Sequence, residues 1–510
     1  MKYLEKTIEY GLYLLVFILP VQTRWIIKAG ELNGGPWEYG TYSLYGTDIL
    51  LILLLLLFIA GTVYSWIAGQ ARNDRNPLNP PLQGGQISNP RNDIISDSKV
   101  VRWFIGGLLL ISAVSVLFAI DKILALYKLG WLILGLGLFW LVVRANYNRL
   151  KLIYAMLGGA FLQAILGGWQ FLFQSSFVNK WLGLALHRAS DLGTSVIEAV
   201  GADGVGERWL RAYGGLDHPN MLGGMLAVSI LLIIYLILVD ASSEKSPAPR
   251  AAPLLKGLII IFTTALFFSF SRSAWLGLAI GLGIMMALAA VSRNLKRQKG
   301  LAEIILVMGI LLFILFSQYQ NLITSRLGGE GRLENKSTSE RLVSYQESWQ
   351  LIKKTLATGV GLGNYTLALN RQAPSQESFY YQPTHNVYLL ILAEIGIVGL
   401  LFFVGLLFFI AGNNLFRHSG RRAGIQLGRD EQVSGLRIPV SSTGQSTPAM
   451  TKCLESSDNE NLSAILIALV VIMPLDHWLW SLHFGVLFFW LVLGLIASGK
   501  RDKTDAEKIV

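Results

Sequence analysis

His385 and Glu394 set the first chemical question. They lie in the stretch 384–402, THNVYLLILAEIGIVGLLF, which from Val387 on is apolar enough to cross a bilayer. A histidine titrates near neutrality and can take a proton from a hydroxyl. On a helix, 100° per residue puts Gly396 within about 20° and Gly399 within about 40° of His385, a stripe that lets a second helix approach. Glu394 then points to the opposite side, roughly 13 Å further along, and must find a partner inside the protein. His385 is the expected catalytic group; Asn386 and Glu394 are secondary candidates, the glutamate in a structural role.

Three arginines accompany the histidine. Arg211 opens RAYGGLDHPN (211–220), and Arg272 sits in FSFSRSAWLGL (268–278), the tightest turn in the chain. Arg341 follows Ser337-x-x-Glu340, a capping box. Beyond it Leu342, Tyr345, Trp349, Ile352 and Leu356 recur at helical spacing, which predicts one apolar stripe on an amphipathic helix with Arg341 in its first turn. Arginines suit an anion with several oxygens, such as a diphosphate or a carboxylate. His218 and Asn220 precede another apolar run, where Asp217 and Pro219 also fit a helix start. Spacing alone does not rank His218 against His385 as base.

Other motifs carry less. TGVGLGNY (358–365) follows a helix instead of a strand and has no Lys-Ser/Thr, so it reads as a helix stop and tight loop, not a phosphate loop. In LDHWLWSLHFG (475–485), Trp478 and Trp480 resemble an interfacial belt. Asp476, His477 and His483 are bystanders there, because His-x5-His is not metal-ligand spacing. No metal and no cofactor are expected.

The elements that must position these groups are apolar helices. The chain has 510 residues, 53% hydrophobic and 15% charged, against about 25% charged in soluble domains. Its mean hydropathy is +0.50. An all-α polytopic membrane protein follows, with about 12 transmembrane helices near 8–22, 46–68, 103–120, 125–143, 150–174, 219–239, 255–270, 273–291, 301–318, 386–411, 461–475 and 481–498. The first has no small-residue cleavage site and reads as a retained span. With the N-terminus inside, the inner segments hold well over half of the 43 basic residues, which sets both termini in the cytoplasm. His385 and the three arginines then all face outward. The net charge of +11 is accounted for by orientation and anionic lipid, with no nucleic-acid partner. One cysteine, Cys453, excludes an intramolecular disulfide.

Residues 1–200 form N-terminal helices interrupted by a flexible inner insertion near 69–102. A core of 201–411 includes the outer loop 319–385. A polar inner loop, 412–460, precedes the last two helices and basic tail, 461–510. Both insertions are polar and rich in turn formers, with no packed core of their own.

These residues resemble the O-antigen ligase and polymerase superfamily of bacterial envelope proteins. His385-Asn386, nine residues, then Gly396-x-x-Gly399 matches the ligase pattern, and RAYGGLDHPNMLGG, SRSAWLGLAIGL and ERLVSYQESWQLIKKTLATGVGLGNY resemble its other segments in order. The resemblance covers roughly 200–410. It implies a glycosyltransferase-C-like fold in the bacterial cytoplasmic membrane, with a large, partly helical outer loop before the His-bearing helix. It further implies transfer of a glycan from an undecaprenyl-diphosphate carrier to a glycan, lipid A–core or protein acceptor at the periplasmic face. His385 would be the base of an inverting, metal-independent displacement; Arg211 and Arg272 would bind the diphosphate, and Arg341 glycan or phosphate. The superfamily also includes members proposed to act in bicarbonate uptake, which leaves a small-anion transporter as the distant alternative.

Overall fold

A computed structural model describes residues 2–74, 98–191, 193–200, 206–240, 252–292, 294–328, 332–416 and 461–498. Cys453, the basic tail and most of the insertions near 69–102 and 412–460 lie outside the described residues.

The described chain is mostly helical. Helix α1 (Lys2–Ile18) is followed after an outer loop by α2 (Gly46–Asp74), α3 (Lys99–Ser115), α4 (Lys122–Arg144) and α5 (Arg149–Phe173). Asp121 starts α4 by accepting the amides of Ile123 and Leu124 at 2.9 and 3.0 Å. Helix α6 (Pro219–Asp240) is apolar on all sides, and 94% of its membrane-crossing stretch is buried. A helix hydrophobic all round belongs in the middle of a bundle, and α5, α7 (Ala252–Ser269), α8 (Arg272–Val291) and α9 (Leu295–Gln318) pack around it. Helices α10 (Gln320–Gly328), α11 (Arg332–Thr355) and α12 (Tyr365–Gln372) lead to α13 (Val387–Phe416). The chain then returns through α14 (Asn461–Leu475), the single turn α15 (Trp478–Ser481) and α16 (His483–Ala497), which lies against α4. Among the described residues, eight helices have the length and hydropathy to cross a membrane; Pro253–Ser269, Asn461–Leu475 and His483–Ala497 are shorter. This is a polytopic membrane protein.

The loops expected on the outer side are not purely helical. Strands β1 (Arg24–Lys28) and β4 (Tyr42–Tyr45) pair antiparallel, enclosing the short ribbon of β2 (Glu31–Leu32) and β3 (Gly35–Pro36), and β5 (Val196–Val200) pairs with β6 (Gly206–Leu210). Helix α11 starts at Arg332, so Ser337 is no cap and Arg341 lies in its third turn rather than its first. The expected apolar stripe is split: Ile352 is buried with Leu351 and Ser348, while Leu342 and Trp349 stay exposed.

The helix after His385 departs most from the expectation. Gly396 has φ 73° and ψ −177°, which breaks α13. Residues 358–364 fill the break: Val360 N and Gly361 N donate to the Ala393 and Glu394 carbonyls at 2.9 and 3.0 Å, and Ile397 N donates to Leu356 O at 2.9 Å. A Cβ on Gly396 would stand 2.4 Å from the Ala357 oxygen, and one on Gly359 2.2 Å from that of Glu394. The nearest atoms to Gly399 belong to Ile395. The two glycines of the motif thus make no helix–helix stripe beneath His385; Gly396 supplies a left-handed backbone that L side chains resist. The glycines of TGVGLG let a loop approach the freed carbonyls, satisfying backbone groups that would otherwise be orphaned at this depth.

Candidate active site

His385 precedes the first turn of α13, and Asn386 caps it. The Asn386 Oδ1 accepts the amides of Tyr388 and Leu389 at 3.0 and 3.1 Å, the usual duty of asparagine at this position. From α11, Tyr345 Oη donates to the backbone oxygens of His385 and Pro474 at 3.4 and 3.3 Å. The His385 ring packs edge to face on His477, with centroids 5.1 Å apart.

A buried polar chain stands behind these two rings. Arg211 is 4% exposed; its Nε donates to Ser269 O and its Nη2 to Asn220 Oδ1, each at 2.8 Å. It also reaches the carbonyl of Phe270, a non-glycine residue held at φ 48° in the α7–α8 turn. Asn220 Nδ2 donates to Asp476 Oδ2 at 2.6 Å, and Asp476 Oδ1 accepts the His477 amide at 2.8 Å. Burial alone would raise the Asp476 carboxyl, but His477, His385, His218 and the Asn220 amide hold it below the ordinary carboxylate range. It is an anion at neutral pH.

The histidines are not equivalent. His218 Nδ1 accepts the Asn220 amide at 3.1 Å, so its Nε2 carries the proton and donates to Ser195 Oγ at 3.0 Å. Both nitrogens are engaged, and burial with Arg211 nearby pushes the ring to about 3. His477 is pushed to about 4, by burial first and then by His385. His385 is lowered as well, mainly by burial and further by Arg341, with Asp476 opposing. It is half-buried on the wall of a cavity and is the imidazole best placed to meet a hydroxyl.

That cavity has about 320 Å³ and takes in His385, His218, Asp476, His477, Asp217 and Gln382; small-molecule sites run from about 300 to 1,000 Å³. The loop between α1 and α2 also lines it, through Arg24, Glu38 and Tyr39. Arg24 is clamped on Glu38 and donates to Tyr45 Oη at 3.2 Å. Sequence reasoning missed this wall, since the loop is about 350 residues from His385 and bears no motif. Asp476-His477, an acid–imidazole pair at an outer turn, was a readable signal. Arg272 and Arg341 are not on the cavity wall. Arg272 starts α8 and donates to Arg326 O at 3.4 Å; Arg341 bears on His385 from α11 through its charge.

Glu394 lies deeper, 4% exposed, accepting the Trp480 indole N–H at 2.9 Å. With Lys128 it lines a second cavity of about 30 Å³, room for about one water, and Tyr39 borders both cavities. Lys128 Nζ sits 3.6 Å from the centre of the Trp131 ring. Among the described residues, no three His, Cys, Asp or Glu side chains are grouped to hold a metal ion.

Residues 257–404 match the family model Wzy_C, described as O-antigen ligase. They form an O-antigen ligase domain. The domain spans α7 to α13 and contains Arg272, Arg341, His385, Asn386 and Glu394, while Arg24, Arg211, His218, Asn220, Asp476 and His477 reach the site from outside the matched segment. No curated protein matches the chain. At the general level the match supports a ligase- or polymerase-like glycosyltransferase activity in a multi-pass bacterial membrane protein.

Proposed function

We propose that the protein transfers a glycan from an undecaprenyl-diphosphate carrier to an acceptor hydroxyl at the periplasmic face of the cytoplasmic membrane, as an O-antigen ligase does. In this reading the chain crosses about twelve times, with both termini inside. His385 takes the acceptor proton, the acceptor oxygen attacks the anomeric carbon from the face opposite the carrier, and the diphosphate leaves with the bonding electrons. The configuration inverts, and no metal is required because the lipid diphosphate is already a good leaving group. Arg272 and Arg341, which do not line the cavity, offset charge on the diphosphate and glycan in this reading. Arg211, the other arginine expected to bind the diphosphate, donates to Asn220, which in turn donates to Asp476.

The observation that carries this reading is His385 itself: an imidazole of the matched segment on the wall of a cavity that Asp476, an anion, also lines. The experiment is incubation of purified protein with undecaprenyl-diphosphate-linked oligosaccharide and candidate acceptors. Diphosphate release that requires His385, with one glycan moved to a distinct acceptor, supports a ligase or a protein O-oligosaccharyltransferase; a ladder of repeats supports a polymerase. Absence of release from folded protein overturns the reading.

One observation favours a small-anion transporter: α13 is interrupted, with Lys128 and Glu394 close by in the bundle. In transporters, unwound backbone is left open to bind ions. Here the Ala393 and Glu394 carbonyls are taken by loop amides, which weighs against it. Anion flux in vesicles tests this second reading.

A further inference from the structure

We propose that the C-terminal half of α11 dips end-first into the bilayer leaflet nearer His385, with Trp349 and Leu356 against lipid and Lys353 and Lys354 on lipid phosphates. The inference stands on the membrane-spanning fold and does not depend on glycan transfer.

Hydrogen bonds to α13 fix the level of this helix. Tyr345 Oη donates to the His385 carbonyl at 3.4 Å, and Leu356 O, three turns further on, accepts the Ile397 amide at 2.9 Å. Helix α11 therefore runs beside the first turns of α13 and in the same direction. Between those two bonds Leu351 and Ile352 are buried in one cluster with Leu390, Leu392 and Ala393. Val387–Asn414 of α13 has the length and hydropathy of a membrane span, 28 residues. A hydrocarbon core takes roughly 20 residues of helix, so a core centred on this span begins at about residue 391. Gly396, whose Cβ would meet the Ala357 oxygen, then stands about 7 Å inside that core. The end of α11 shares its depth.

The face that α11 turns away from the bundle fits that placement. At 100° per residue Leu342, Trp349, Lys353 and Leu356 fall within about 60° of one another. Leu342, Trp349 and Leu356 are 60%, 54% and 48% exposed, and Lys353 and Lys354 are exposed as well. Helix α11 is too polar to cross the membrane and is not among the eight helices that could. Yet its side chains are ordered as a bilayer interface orders them. Leu356 comes deepest, the lysines about a turn earlier, and Trp349 two turns earlier. Lysine lays its stem along lipid chains and keeps its ammonium at the phosphates, while tryptophan favours the headgroup level. Glu347, the nearest acid along the helix, is taken by the Tyr380 hydroxyl. A second copy of the chain would want an unbroken apolar face, and Lys353 interrupts this one.

The test is site-directed spin labelling of the full chain in vesicles of phosphatidylcholine and phosphatidylglycerol. Cys453→Ser removes the native thiol, and Leu342→Cys, Trp349→Cys or Leu356→Cys carries the nitroxide. Access of oxygen, against that of a water-soluble nickel chelate, reads depth. The label at 356 should lie among the lipid chains, that at 349 at the headgroups and that at 342 in water. Their depths should spread over more than half of the roughly 21 Å of helix between 342 and 356. Equal depths at the three positions, as in a helix lying flat, overturn the proposal; so does a water-exposed label at 356. A label at 356 closed to both reagents is covered by protein and overturns it too, a second copy showing itself by spin–spin broadening. Should a variant fail to fold, Ala357→Cys at the deep end or Gln346→Cys beside Trp349, both at exposed positions, takes its place under the same criteria. Separately, Lys353→Gln/Lys354→Gln extracted in mild detergent should carry less phosphatidylglycerol per chain than wild type by mass spectrometry. An equal amount overturns the phosphate contact. Neither readout involves diphosphate release, so failure here and failure of the proposed function are distinguishable.

Discussion

Asn220 Nδ2 and Asp476 Oδ2 are 2.6 Å apart although 256 positions separate them in sequence. That bond joins the first turn of the buried helix α6 to the turn between α14 and α15, and Arg211 holds the other end of the same amide. Asn220 thus touches both a buried guanidinium and a buried carboxylate.

Asn220→Ala removes both contacts at once. Each orphaned group costs about 1–3 kcal/mol when buried, more when charged. The variant should unfold at a lower temperature in detergent and lose much of its transfer activity. Asn220→Asp should be worse, because a second carboxylate would face Asp476.

His385→Gln should reduce transfer by about 10²–10⁴-fold, the usual worth of a general base. His218→Gln should cost far less in rate, since His218 has no nitrogen to spare. Equal losses in the two variants, measured with matched thermal stability, would remove the distinction drawn between them.

The pH–rate profile carries its own test. Burial and Arg341 hold His385 below the ordinary imidazole value, so the base stays unprotonated, and the rate stays high, at pH 6.5 and somewhat below. Arg341→Gln takes away a charge that disfavours the imidazolium, which lets the His385 value rise. The acidic limb should then move to higher pH. A limb that stays put would show that Arg341 does not act on the base.

Gly396→Ala and Gly359→Ala probe the break in α13. Both positions have positive φ, and a Cβ at either would meet a carbonyl oxygen at 2.4 Å or less. Left-handed backbone alone costs an L residue about 1–2 kcal/mol. Both variants should lower the unfolding temperature by several degrees, whereas Gly257→Ala, with nothing near its Cβ, should leave it unchanged.

Hydropathy made the helices legible, because a bilayer demands long apolar runs whatever the tertiary packing. Basic-residue asymmetry led to the expectation of a shared side for His385, Arg211, Arg272 and Arg341. The limits came from long-range pairing. Arg24, Glu38 and Tyr39 reach the cavity by a fold of the first outer loop that no local pattern encodes, and Asp476 shows its place only once Asn220 is beside it. The break at Gly396 was hidden for another reason: ideal helical spacing presumes continuity, and the positive φ is imposed by amides from residues 358–364. The amphipathic pattern of α11 likewise misplaced its start, since the helix runs on into residues with no apolar face.

The glycine break divides α13 mechanically. Its upper part, residues 387–395, hangs from the outer loop by backbone bonds at Ala393 and Glu394, and carries His385 at its free end. The lower part packs with α3 in the bundle. On the proposed role of His385, the base would stand on a short segment that the break at Gly396 sets apart from the rest of α13 and that α11 holds through Tyr345.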